Sequence, residues 1–247
     1  MSHSLFCTHP TCSDPALAAA LAVQENPANS AASGSGGRKK RAVGETTNFW
    51  APQRHLRIRF WEGTPKDLQE AVFNAGSLWL EYANLTFELV APDAEAEITI
   101  QMLDPEEGIN YCWPGTEALL PEAMPTMKLS VLPEEDHFQY TVLHEFGHML
   151  GARHEHQHPD ANIPWDTEGL YTQFEEAGKT RQHVDEQLFN KFERSKVYNT
   201  VYDPRSIMHY NVPADWALDG WSLVIENRVI SEKDKAFMRT VYPPRAD

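Results

Sequence analysis

The chain has 247 residues, 41% hydrophobic and 23% charged, enough for one sizeable soluble domain with an extra segment. It contains no apolar run of about eighteen residues, so no membrane insertion by a spanning helix is expected. A formal net charge of −15 argues against nucleic acid or an anionic membrane as the main partner.

Residues 1–41 read as a leader distinct from the body. "PALAAALAV" (15–23) is apolar but short, with Asp14 before it and no Lys or Arg upstream, so it makes no clear signal peptide. "NPANSAASGSGG" (26–37) has the composition of a flexible linker. It runs into Arg38, Lys39, Lys40 and Arg41, either a solvated basic linker or a processing site releasing a chain that begins at Ala42. The expected division is a flexible leader or propeptide over 1–41 and a folded body over 42–247. Of the three cysteines, Cys7 and Cys12 lie in the leader, and Cys112 alone lies in the body. No disulfide can therefore form within the body, which fits a reducing compartment without requiring one.

From residue 54 the pattern is that of a folded domain. "HLRIRFW" (55–61) alternates as a half-buried strand does. "TPKDLQEAVFNAGSLWLEYA" (64–83) predicts an amphipathic helix with Thr64 as cap and Pro65 in its first turn. Strands are expected over 85–90, 96–103 and 126–132, with an edge strand near 109–115. "DHFQYTVLHEFGHML" (136–150) predicts a helix capped by Asp136 and stopped by Gly151. Helices are expected again over 167–178, 183–192 and 230–242, the last capped by Ser231. A strand, a helix, more strands and a loop-rich second half predict an α+β fold.

The stretch "HEFGHMLGARHEH" (144–156) carries the chemistry. His144 and His148 stand at i and i+4 of a predicted helix and project from one face, a separation that suits two ligands of one zinc. Glu145 follows the first histidine, where a carboxylate can act as general base on a water at that metal. Gly151 permits a backbone reversal that can return His154 to the same point. Downstream, "DPRSIMHYN" (203–211) places Met208 in a tight polar turn.

"HEFGHMLGARHE" and "SIMHY" (206–210) resemble the two defining motifs of the astacin family of metzincin zinc endopeptidases. "YCWPG" (111–115) and "SEKDKAFM" (231–238) extend the similarity over about residues 50–244 and resemble microbial members. The resemblance implies a zincin fold with a mainly parallel twisted sheet, an active-site helix and a loop-rich C-terminal subdomain. It implies one catalytic Zn2+ held by His144, His148 and His154, with Tyr210 as a switchable fifth ligand that helps stabilise the oxyanion. Met208 would form an apolar floor under the metal, and Glu155 would contact the amino terminus of the processed chain or water near it. The implied partner is a protein or peptide substrate lying along the 109–115 edge, and the implied state is a monomer. The family's usual setting is extracellular, but its paired disulfides are missing here, so the compartment stays open. Residues 1–41 hold no FxGD-type aspartate; Cys7, Cys12 or Asp14 can replace it as a zinc-blocking group, and a disordered leader is the reading preferred.

Two rival functions remain at this point. One is another metzincin, serralysin-like or matrixin-like, against which Glu155 and the lack of glycine-rich calcium repeats argue. The other is a zinc-stabilised binding module without turnover, which would have no use for Glu145. His156 and His158 are expected in a polar loop beside the cleft and His209 as a hydrogen-bonding neighbour. His55, His137 and His183 are read as ordinary surface or core residues, Arg205 and Arg228 as surface or ion-paired arginines, and "NFWAPQ" (48–53) as packing.

Overall fold

The computed structural model describes residues 7–8, 10–30, 47–193, 201–223 and 228–244. The basic run 38–41 and Ala42 lie outside the described residues. Alternation in the first strand is realised directly: β1 (His55–Phe60) buries Leu56, Ile58 and Phe60 and leaves His55, Arg57 and Arg59 outside the core. β1 pairs in parallel with β2 (Thr86–Leu89) and β3 (Ile98–Met102). β3 pairs in parallel with β5 (Met127–Leu129), and the short β4 (Tyr111–Cys112) closes that edge antiparallel to β5. The order is β2-β1-β3-β5-β4, a mainly parallel sheet whose last strand is the 109–115 edge expected from sequence.

Helix α2 (Lys66–Ser77) is shorter than the expected 64–83. Thr64 does not cap it; its hydroxyl donates to the Trp61 carbonyl instead. The chain then tightens into a 3-10 turn, Leu78–Glu81, from which the Trp79 indole donates to the Leu143 carbonyl at 2.9 Å. Gly76 faces the Phe146 ring so closely that a Cβ would overlap it, which fixes α2 against the central helix.

That central helix, α3 (Phe138–Met149), is buried from Tyr140 onward. Asp136 does not cap it: the N-cap is His137 without a side-chain bond, and the Asp136 carbonyl accepts from Arg228. Its C-terminal carbonyls, which no helical turn can satisfy, find partners from distant chain. The Trp50 indole donates to Met149 O at 2.8 Å and the Tyr242 hydroxyl to Leu150 O at 2.8 Å. The aromatic 48–53 segment is thus packing, with Trp50 fully buried.

The second half is loop-rich, as expected. α4 (Thr167–Glu176) and α6 (Glu232–Val241) match their predicted spans, and Ser231 caps α6 in a reciprocal box with Asp234. The helix expected over 183–192 begins earlier, as α5 (Arg181–Val184) followed by a π turn, Asp185–Phe189. Its start is set by the Thr180 side chain, which accepts from His183 N.

The leader departs most from expectation. α1 (Pro15–Glu25) is capped by Asp14, and a 3-10 turn spans Pro27–Asn29. The disordered-leader reading is therefore wrong for these residues, and the linker reading is wrong for 26–30. Asn26 and Asn29 have loop composition, yet both are buried and use their amides on the Phe49–Trp50 backbone.

Candidate active site

α3 presents His144, Glu145 and His148 on one face because their spacing matches the helical turn. Gly151 then takes a left-handed φ of 89°, and a Cβ there would stand 2.7 Å from Phe49 Cδ1. The reversal returns Ala152 O to His148 Nδ1 at 2.8 Å and delivers His154 to the same centre. His148 Nε2 lies 3.1 Å from His144 Nε2 and 3.0 Å from His154 Nε2.

Those three nitrogens fit a metal ion. His144 Nδ1 donates to Ile207 O at 2.8 Å and His148 Nδ1 to Ala152 O, which leaves both Nε2 atoms as lone-pair donors facing one another. Lone pairs this close repel unless a cation lies between them. Burial holds His144 down to about 4, so its ring is neutral and able to ligate at neutral pH. A fourth donor joins them: the Cys7 sulfur and the three histidine nitrogens all lie within 4.8 Å of one another.

Glu145 sits beside this cluster, 1% exposed, with its carboxyl lifted to about 8 by burial while a Cys7 side-chain hydrogen bond pulls it down. Its Oε2 has no hydrogen-bond partner among the described residues. Glu145, Cys7, Tyr140 and His144 line a cavity of about 10 Å3, room for about one water. Burial also pushes the Cys7 thiol up, and Glu145 adds to that.

Met208 lies beneath α3, where Gly147 gives its sulfur room; a Cβ at 147 would collide with it. The turn carrying Met208 is pinned from α6: Ser206 Oγ donates to Asp234 Oδ1 at 2.7 Å and Ile207 N to Asp234 Oδ2 at 2.8 Å. Ile207 O in turn orients His144, so Asp234 braces the cluster through one intervening residue. Tyr210 stands against His154, with ring centroids 4.4 Å apart, and its hydroxyl donates to the Cys7 carbonyl.

One sequence expectation changes nearby, and in the uncut chain Glu155 accepts from Asp203 N at 2.7 Å. Burial lifts its carboxyl to about 8. His156 and His158 are not in a polar loop beside the cleft: both are buried, and His156 stacks on the Tyr210 ring at 4.1 Å and bonds Gln187 O. His209 is a hydrogen-bonding neighbour as expected, touching Tyr202 Oη and Tyr210 O. Sequence reasoning passed over Gly147 and Asp234, and it misplaced His156. Small size inside a buried helix and the Ser231–Asp234 box were the available signals for the first two.

Comparisons with known proteins bear on the family and the fold. Residues 43–217 match the model of the peptidase family Astacin. A solved structure of myroilysin is 33% identical over 81% of this chain and 97% of that one, with a TM-score of 0.71. A second myroilysin crystal structure is 33% identical over 80% and 86%, TM-score 0.61. The fold is shared also by high choriolytic enzyme 1, a hatching enzyme zinc-protease from Oryzias latipes (medaka fish), at 18% identity over 80% and 96%, TM-score 0.57. No curated protein sequence matches the chain. No helix among the described residues is long and apolar enough to cross a membrane. The family match, covering well over half the chain, and the converging histidines lead to one conclusion: this chain belongs to the astacin family and is a zinc metalloendopeptidase.

Proposed function

We propose that His144, His148 and His154 hold one zinc ion and that Glu145 and Tyr210 carry out peptide-bond hydrolysis beside it. The observation that supports this best is the convergence of three Nε2 atoms, two of them held in tautomer by backbone carbonyls. Bound there, zinc supplies Lewis-acid polarisation of the scissile carbonyl and a lowered pKa for the attacking water. Glu145 takes the water's proton and later delivers it to the leaving amine, a role supported by its burial beside the histidines with Oε2 unpartnered among the described residues. Tyr210 donates to the oxyanion, and its reach is supported by the hydrogen bond it already gives a peptide carbonyl, that of Cys7. Met208 and Gly151 support the cluster without touching substrate. The substrate is a protein or peptide extended along β4, an edge that already pairs with peptide backbone, since Thr8 N donates to Asn110 O at 3.3 Å.

The same contacts support reading residues 1–41 as an inhibitory propeptide. The Cys7 sulfur lies within 4.8 Å of the three histidine nitrogens and would join them in holding the metal, while its carbonyl occupies the Tyr210 hydroxyl, so it would close the site by both groups. Of the three blocking groups considered, Cys7 takes the role; Asp14 caps α1 and Cys12 lies outside the histidine group. Processing at Arg38–Arg41, secretion in the manner of the family, and a monomeric state belong to this reading. A zinc-stabilised module would also show four closed ligands, and turnover separates the two.

The test is cleavage of a quenched-peptide library by the full chain carrying Cys7→Ala, with Glu145→Gln added in a second protein. Turnover in the first is expected, falling about a hundredfold or more in the second at unchanged zinc content. Activity within a few-fold of the first protein, zinc still bound, would remove Glu145 from the mechanism.

A further inference from the structure

The described residues of the leader meet the body at three separated places, and only the first of these is the active site. At its start Cys7 bridges to Asn110 beside β4, and Thr8 N donates to Asn110 O. In its middle, Ser13 Oγ donates to Glu122 Oε1 at 2.7 Å, and α1 lies along the turn Gly115–Leu119. At its end Glu25 pairs with Arg54 at 3.1 Å, and Asn26 and Asn29 grip the Phe49–Trp50 backbone.

The Asn29 grip is a two-way reading of one residue's main chain. Its Nδ2 donates to Phe49 O at 2.7 Å while its Oδ1 accepts from Phe49 N at 3.1 Å, as a neighbouring strand would. The same Oδ1 accepts from Thr47 Oγ1 at 2.7 Å, and Asn26 Nδ2 donates to Trp50 O at 3.0 Å. Asn29 is 2% exposed, so none of these bonds competes freely with water.

Every one of these contacts joins residues 7–30 to residues 47 and beyond. None depends on the chain that connects Ser30 to Thr47. We propose that the face formed by Asn110, the 115–122 turn and the Phe49–Arg54 segment is a peptide-binding surface whose ligand is the leader itself. A cut at the basic run 38–41 then leaves the leader bound as a separate chain, and the enzyme still closed. Release needs the three attachments to open together, because each one that closes holds the other two at high local concentration. Activation is therefore a two-step event: scission, then departure of the leader or a second cut within it. The closed state after scission rests on the Cys7 reading above; the persistence of the complex does not.

The experiment begins with the full chain, cut after Arg41 by an endopeptidase specific for basic residues and verified by mass. Gel filtration follows, with peptide turnover measured on the same fractions. The 1–41 fragment should co-elute with the body, with activity at or below about a tenth of that of the uncut Cys7→Ala protein. Cut Asn29→Ala protein should lose its fragment at least about tenfold faster, since three bonds across the surface go at once. Separation of the parent fragment on the first column overturns the proposal. Co-elution with full activity would retain the surface and instead sink the Cys7 latch.

Discussion

The sheet and α3 bury a continuous apolar cluster that runs from Trp50 through Ile58, Ile100 and Phe146 to Tyr242. The described leader buries Cys7 and Ala22, lays Cys12, Ala18 and Leu21 partly buried against the edge of that cluster, and attaches for the rest by two amides, a hydroxyl and one ion pair. Apolar burial is worth about 25 cal/mol per Å2 and has no partner to lose, so it suits a permanent structure. Polar attachments contribute only about 1 kcal/mol each net, because the freed groups bond water once the segment has departed, so they suit a segment that holds until it leaves as a whole. The body is built to persist while the leader is built to be displaced.

The largest expected effect strikes the body. His148→Ala should abolish zinc binding and lower turnover about a thousandfold or more, measured by metal analysis and kinetics in the Cys7→Ala background. Stoichiometric zinc in that variant would remove His148 as a ligand. Tyr210→Phe should keep the zinc and lose about a hundredfold in kcat, since the oxyanion loses one donor; an unchanged kcat would leave the tyrosine structural. On the leader side the sign reverses: Cys7→Ala in the full chain should raise turnover at least about tenfold, because a closed fraction is released. No change would show that the leader blocks without its thiol. The smallest effect sharpens the comparison within the body. Gly147→Ala should cost about 1–3 kcal/mol in denaturant unfolding by pressing on Met208, whereas Gly63→Ala meets no neighbour and should cost about 1 kcal/mol, from the strain of its left-handed φ alone.

Much of this was legible in the residues. His144, Glu145, His148, Gly151 and His154 stand at spacings set by helix geometry and one reversal, so their convergence follows from local rules, whereas Met208 and Tyr210 were legible only through the resemblance of their turn to the family's motif. The strands were readable because alternation reports a buried face. What could not be read depended on distant partners. Thr64 and Asp136 are good caps by type, yet the Thr64 hydroxyl turns back to Trp61 O and the Asp136 carbonyl is taken by distant Arg228, and both helices start later without a side-chain cap. His156 looked like loop chemistry because nothing in its neighbourhood announces Tyr210 as a stacking partner. The leader misled most. Composition at 26–29 says linker, and only the fold reveals that Asn26 and Asn29 find a backbone to hold.

The central claim is that one zinc ion sits among three histidines and, in the uncut chain, the Cys7 sulfur. Zinc-edge X-ray absorption on the full chain tests it directly. The account predicts one sulfur neighbour at about 2.3 Å with nitrogens at about 2.0–2.1 Å, the sulfur vanishing in Cys7→Ala. A shell of nitrogen and oxygen alone, the same in both proteins, would contradict it.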